Sequence, residues 1–146
     1  MQENNPTTTL SSVILLILKE LRLERNMHQA QVAEACDKTP SAWTKIELGK
    51  SPLSMDFFFR VCNILQVAPS SILATAERHS ALLSQNKWWI MSKQLDFDDD
   101  DFFDFYKNYC KNIDGKIHVN FEKLGFSIAD KNIATGYGRN NMGLYG

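Results

Sequence analysis

The sequence predicts a mainly α-helical chain. A five-helix domain is expected over residues 10–78, a linking helix over 79–95 and a small aromatic-rich α(+β) region over 96–135, with flexible tails at 1–9 and 136–146. Three observations carry this expectation. Apolar residues in the first 79 positions recur at helical spacing rather than alternating. Hydroxyl residues suited to N-capping open several of these segments, and Gly49 closes one of them. Aromatic residues are unevenly divided: four of the sixteen (Trp43, Phe57, Phe58, Phe59) fall in the first 79 residues and twelve in the rest, which implies two regions with different jobs.

The chain of 146 residues is long enough to bury a core without disulfide staples. With 44% hydrophobic and 23% charged residues it is expected to be globular, neither disordered nor fibrous. Three cysteines, Cys36, Cys62 and Cys110, are an odd number with no CxxC or Cys/His ligand spacing, so neither a disulfide framework nor a zinc site is expected. The longest apolar run, residues 13–18, is far short of the roughly 18 residues of a membrane span, and no basic segment precedes it. The expected protein is cytoplasmic, with no membrane partner.

Helix by helix, the polar start ends in an N-cap candidate at Thr9 or Ser11, and residues 10–25 carry Ile14, Leu15, Leu18, Leu21 and Leu23 at helical spacing. A second helix over 29–36 buries Val32, Ala33 and Cys36, and residues 37–39 interrupt it. The third helix opens with Thr39 as N-cap and Pro40 at its first position, where the missing N–H costs nothing, and runs to Leu48. Trp43 and Ile46 are spaced to face inward. Ser54 caps a fourth helix over 55–66, in which Phe58, Val61, Cys62 and Leu65 form one stripe. A fifth starts near Pro69 with Ile72 and Leu73 inward, and the linking helix that continues it contains Leu82, Leu83, Trp88 and Trp89.

Gln29-Ala30-Gln31-Val32-Ala33, then Ser41-Ala42-Trp43-Thr44-Lys45-Ile46-Glu47-Leu48-Gly49-Lys50, then Ile64-Leu65-Gln66-Val67 and Ile72-Leu73 resemble the Cro/CI-type (XRE-like) helix-turn-helix family over residues 14–74. The resemblance implies a lambda-repressor-like DNA-binding domain. One short helix crosses the phosphates while the next lies in the major groove, which is just wide enough for it. It also implies that the third helix reads base edges and that Gln29 meets the backbone and sometimes a base. Gln29, Lys38, Thr39, Pro40, Ser41, Ala42, Thr44, Lys45 and Lys50 are thus the expected DNA-binding residues. Arg22 and Glu47 match the family's bracing pair. The sequence departs from the pattern at the turn, where Asp37 stands for the usual glycine and Lys38 for an apolar residue. Asp enters the left-handed region more readily than most residues. His28 replaces the usual hydroxyl cap of the second helix, leaving Asn26 to cap it with Gln29 in an Asn-x-x-Gln box. Pro40, Ser41 and Ala42 make few bidentate base contacts, so specificity falls on Lys45, Gln29 and DNA shape.

Net charge is no guide, since the chain carries -1 overall and the first 79 residues balance eight basic against eight acidic side chains. Only local cations meet phosphates, and Lys45, Lys50, Lys38 and Arg60 flank the expected reading surface. Beyond residue 95, Asp96, Asp98 and Asp100 resemble the start of an EF-hand loop, but its sixth residue is Asp101 rather than Gly and its twelfth Lys107 rather than Glu. The acidic run is better read as the N-terminus of a helix over 99–112, whose positive dipole end favours anions and whose Phe102, Phe103, Tyr106, Cys110 and Ile113 share a face. After Asp114-Gly115, residues 116–121 alternate as one strand, paired with its copy in a second subunit or with a strand over 126–129. Gly136-Tyr137-Gly138-Arg139 lacks a strand–helix frame and reads as tail.

No catalytic residues, cofactor or metal are expected: His28, His79 and His118 are scattered, and Cys36 and Cys62 lie on apolar faces. The expected function is sequence-specific transcriptional regulation, as a repressor on a palindromic operator. Double-stranded DNA and a second copy of the chain are the expected partners, and Trp88, Trp89, Phe102, Phe103 and Tyr106 the expected centre of a homodimer interface. The alternative is an antitoxin or partner-binding adaptor whose aromatic C-terminal surface grips a second protein, with autoregulatory DNA binding. Enclosure of a small-molecule effector by the same aromatics is a third reading.

Overall fold

The computed structural model describes residues 4–105. Tyr106, Cys110, Ile113, His118, the strand expected over 116–121 and the tail expected over 136–146 lie outside the described residues. The described chain runs β1 (Thr7–Thr9), α1 (Leu10–Glu24), α2 (Gln29–Ala35), α3 (Pro40–Glu47), α4 (Met55–Leu65), α5 (Pro69–Gln85) and β2 (Trp89–Met91), then a 3-10 turn at Phe97–Asp99. Helical backbone follows over 101–105.

Local caps start three of the helices. Thr9 Oγ1 accepts from Ser12 N–H at 3.1 Å, Thr39 Oγ1 from Ala42 N–H at 3.1 Å and Ser54 Oγ from Phe57 N–H at 3.2 Å. Each bond satisfies one of the amides that a helix start leaves without an internal partner. The helix ends share a second device. Asn26, Asp37, Gly49, Gln66 and Lys87 all hold positive φ, and the amide after each returns to a carbonyl of the last turn. Asn26 therefore closes α1 instead of capping α2. The start of α2 is held by Gln31, whose Oε1 accepts from His28 N–H at 2.7 Å, so the box is His28–Gln31 and not the expected Asn26–Gln29.

α1 is the central helix. Every residue from Ser12 to Leu18 is buried because α5 lies on one side, α3 and α4 on another and β1 at its start. The stripe expected from periodicity is thus too narrow at the front, and Leu23 at the far end is 40% exposed. Val13, Leu18, Val32, Trp43, Val61, Leu65 and Ile72 meet in one core with Cys36 and Cys62.

Two expectations are corrected. Residues 7–9 are not tail: they pair in parallel with β2 in the register Thr7↔Trp89, Thr8↔Ile90, Thr9↔Met91, and Thr8 is fully buried. The linking helix ends at Gln85, because Asn86 Nδ2 donates to Leu82 O at 2.8 Å and Lys87 turns left-handed at φ +68°. Trp88 and Trp89 consequently leave the helix.

One carboxylate secures the strand pair. Asp100 is buried and accepts from Thr8 Oγ1 at 2.8 Å, from Ser12 Oγ and from the Phe102 amide at 3.0 Å, while Asp101 Oδ2 accepts from Thr7 N–H at 2.8 Å. The acidic run thus starts a helix, with Asp100 as its cap. It also delivers Phe102, 1% exposed, into the same core as α1, so residues 96–105 are not packed as a separate region.

Candidate nucleic-acid interface

α3 sorts its side chains by helical position. Trp43, Ile46 and Glu47 are buried, with the Trp43 ring 5.3 Å from that of Phe57. Pro40, Ser41 and Lys45 are exposed on the opposite side, and Ala42 and Thr44 are half-buried. Thr39 and Lys38 continue the exposed surface toward α2, with Gln29 half-buried at the start of α2. The structure therefore brings Gln29, Thr39, Pro40, Ser41, Ala42, Thr44 and Lys45 together on two adjoining helices.

Behind this surface lies a hydrogen-bonded chain. Arg22 Nε donates to Glu47 Oε2 at 3.0 Å and its Nη2 to Glu47 Oε1 at 2.8 Å, a two-pronged pair buried on both sides. Arg22 Nη1 reaches the carbonyl of Met27 at 2.7 Å, tying the α1–α2 connection into the pair. Gln29 Nε2 donates to the same Glu47 Oε1 at 3.2 Å. Its Oε1 accepts from Thr44 Oγ1 at 3.0 Å, although that hydroxyl also lies 2.9 Å from Pro40 O. Buried charge without a partner is costly, so this pairing orients α3 against α1 and α2.

The cations are placed differently. Among the described residues, Lys45 makes none of the ring and ion-pair contacts that occupy the others. Lys38 Nζ lies 5.7 Å over the Phe57 ring, and Arg60 donates to Cys36 O at 3.3 Å with Asp37 3.8 Å away in an exposed pair. Lys50 Nζ sits 5.1 Å over the Phe97 ring, at the far end of α3. Burial pushes the Cys36 thiol up from its ordinary value and pushes Cys62 up to about 12, so both behave as core residues.

Of the five aromatics expected at a dimer interface, Phe102 is withdrawn into the chain's own core and is corrected on that account. Its ring meets Trp88 and Phe103 edge to face. Trp88 and Phe103 are half-buried, and among the four that fall in the described residues Trp89, 61% exposed, is the one that stands out into solvent. What the spacing did not reveal is the inward turn of Thr44 toward Gln29, because a helical wheel places Thr44 at a boundary without saying which neighbour takes its proton.

A helix-turn-helix family model matches residues 18–72. The chain carries an XRE-like helix-turn-helix domain. The match runs from Leu18 in α1 to Ile72 in α5, so it contains the α2–turn–α3 unit and the Arg22–Glu47 pair and leaves β1, β2 and residues 73–105 outside. No curated protein and no solved structure gives a significant match. DNA binding in transcriptional regulation is the general role of such helix-turn-helix domains. Among the described residues no single helix is long and apolar enough to cross a membrane, and no group of three His, Cys, Asp or Glu side chains is placed to hold a metal.

Proposed function

We propose that the protein is a cytoplasmic repressor that binds a palindromic operator as a homodimer, reading it with the exposed side of α3. The observation that carries this reading is the contrast across α3. Pro40, Ser41 and Lys45 face solvent with Thr39 and Gln29 beside them, while Trp43, Ile46 and Glu47 lock the other side to the domain. A helix whose back is fixed by a buried ion pair presents its front in one orientation, which base recognition requires.

Lys45 is assigned to a base edge, Ser41 and Ala42 to close approach in the groove, and Lys38, Thr39 and Lys50 to phosphates. Pairing of two copies follows from the shortness of this surface. Eight residues of α3 cover only a few base pairs, too few to single out one operator, so two half-sites about one helical turn apart are expected. Among the described residues, Trp89 is the expected dimer-interface residue that remains exposed.

Selection of binding sites from random DNA with the purified full chain tests both parts. The expected product is an inverted repeat with half-sites about one helical turn apart. Enrichment of no sequence would refute DNA reading, and enrichment of a single unrepeated site would refute the homodimer.

A further inference from the structure

Thr44 faces two acceptors with one proton, and Gln29 faces a carboxylate and a hydroxyl with an amide that has one donor end and one acceptor end. The Glu47 carboxylate decides how the amide lies. Turning the Gln29 carbonyl toward Glu47 Oε1 would set two oxygens against each other at about the 3.2 Å now spanned by a hydrogen bond, whereas the NH2 end is attracted there. With the NH2 toward Glu47, the carbonyl faces Thr44 Oγ1 at 3.0 Å, and only the hydroxyl proton of Thr44 can fill that contact. Glu47 is in turn held by Arg22 and cannot swing away. One N–H of Gln29 remains outside this relay, on a half-buried side chain at the rim of the exposed α2–α3 surface.

We infer that Thr44 is a positioning residue and not a DNA contact: with Glu47 it holds the Gln29 carbonyl inward, so that Gln29 meets the duplex as a donor only, to a phosphate oxygen. The inference rests on the DNA-binding function proposed above. A glutamine reads adenine by donating to N7 while its carbonyl accepts from N6, and a carbonyl already engaged by Thr44 is turned away from that pairing. A single outward N–H suits a phosphate oxygen, which accepts and carries no sequence information. Thr44, assigned by spacing to the reading surface, then acts through its neighbour.

The test measures affinity for the selected operator and for variants of each operator position, using the full chain. Gln29→Ala is expected to weaken all sequences by about tenfold, the scale of one hydrogen bond to a charged group. Thr44→Val keeps the branched shape and removes the hydroxyl; it is expected to weaken all sequences about three- to tenfold in the wild-type background and less than about twofold once Gln29 is Ala. Thr44→Ser is expected to retain wild-type binding. A general distortion of α3 by Thr44→Val would persist in the Gln29→Ala background, and that result overturns the inference. A change of base preference on Thr44→Val in both backgrounds overturns it by making Thr44 a direct contact, and a lost preference for adenine on Gln29→Ala overturns the phosphate assignment. A wild-type chain that binds no DNA overturns the parent function together with this one, whereas each of the other outcomes leaves the parent function standing.

Discussion

One face of α3 presents Pro40, Ser41 and Lys45 to solvent, beside the Thr44–Gln29 hydrogen bond. The opposite face is buried, with Trp43 against the Phe57 ring and Glu47 in its ion pair with Arg22, and the helix closes just beyond Glu47. There Gly49 turns left-handed at φ +78°, and a methyl group added to it would lie 2.5 Å from the Phe103 ring. Lys50, the next residue, rests over Phe97. The difference teaches how a short helix serves recognition: one face is left free to meet a partner because the opposite face and the helix's close are fixed by elements from both ends of the described chain. Arg22 comes from α1 and Phe103 from beyond β2. The helix-turn-helix match stops at residue 72, so part of what holds α3 comes from outside it.

Breaking the fixed side should cost most. Glu47→Ala leaves the Arg22 guanidinium buried without its carboxylate and is expected to destabilise the fold by about 3–5 kcal/mol in urea denaturation. Phe102→Ala, which empties a fully buried ring site, is expected in the same range of about 3–5 kcal/mol. A loss below about 1 kcal/mol for either would mean that the fixed side is not held as described.

Gly49→Ala is expected to cost about 2–4 kcal/mol, combining a left-handed backbone with a collision against Phe103. In a Phe103→Ala background the collision disappears, and a residual of about 1–2 kcal/mol for the backbone should remain. If the cost of Gly49→Ala is unchanged by removing Phe103, the segment beyond β2 does not bear on the end of α3.

The smallest effect concerns the core thiols. Because burial raises Cys62 to about 12, the folded state holds its proton more tightly than the unfolded chain does. Its contribution is therefore complete below the ordinary thiol value near 9 and is lost as pH rises from there toward 12. Across neutral pH this thiol should leave stability unchanged and react with a disulfide reagent only at the rate of unfolding. Fast labelling of Cys62 in the native protein at pH 8 would contradict its placement.

Much of the domain was legible because its signals are local. Thr39, Pro40 and Gly49 mark the bounds of α3 within a few residues of one another, and the inward Trp43 and Ile46 follow from 3.6-residue spacing. Asp37 was also readable as a left-handed turn residue. Asn26 carried the same mark but was read as a cap of α2, whereas Gln66 and Lys87 take that conformation with no local mark. The strand at Thr7–Thr9 was invisible for a different reason. Its partners, Trp89–Met91 and Asp100, lie more than 80 residues away, and a triplet of threonines reads as polar tail until a distant carboxylate accepts the Thr8 hydroxyl. Phe102 followed the same logic: an aromatic stripe shows that a face will be buried, but not whether the same chain or a second one covers it. Among the site residues, position on the wheel separated Lys45 from Trp43, while the nearness of Thr44 to Gln29 came from the packing of α2 on α3.

The central claim is that the exposed face of α3 reads base sequence, and Lys45 tests it most directly. Affinities of the wild-type chain and of Lys45→Ala should be compared on the selected operator and on the same site altered one base pair at a time. A loss of about 1–3 kcal/mol, together with a relaxed preference at one position in each half-site, is the expected result. Unchanged affinity and unchanged preference at every position would contradict it.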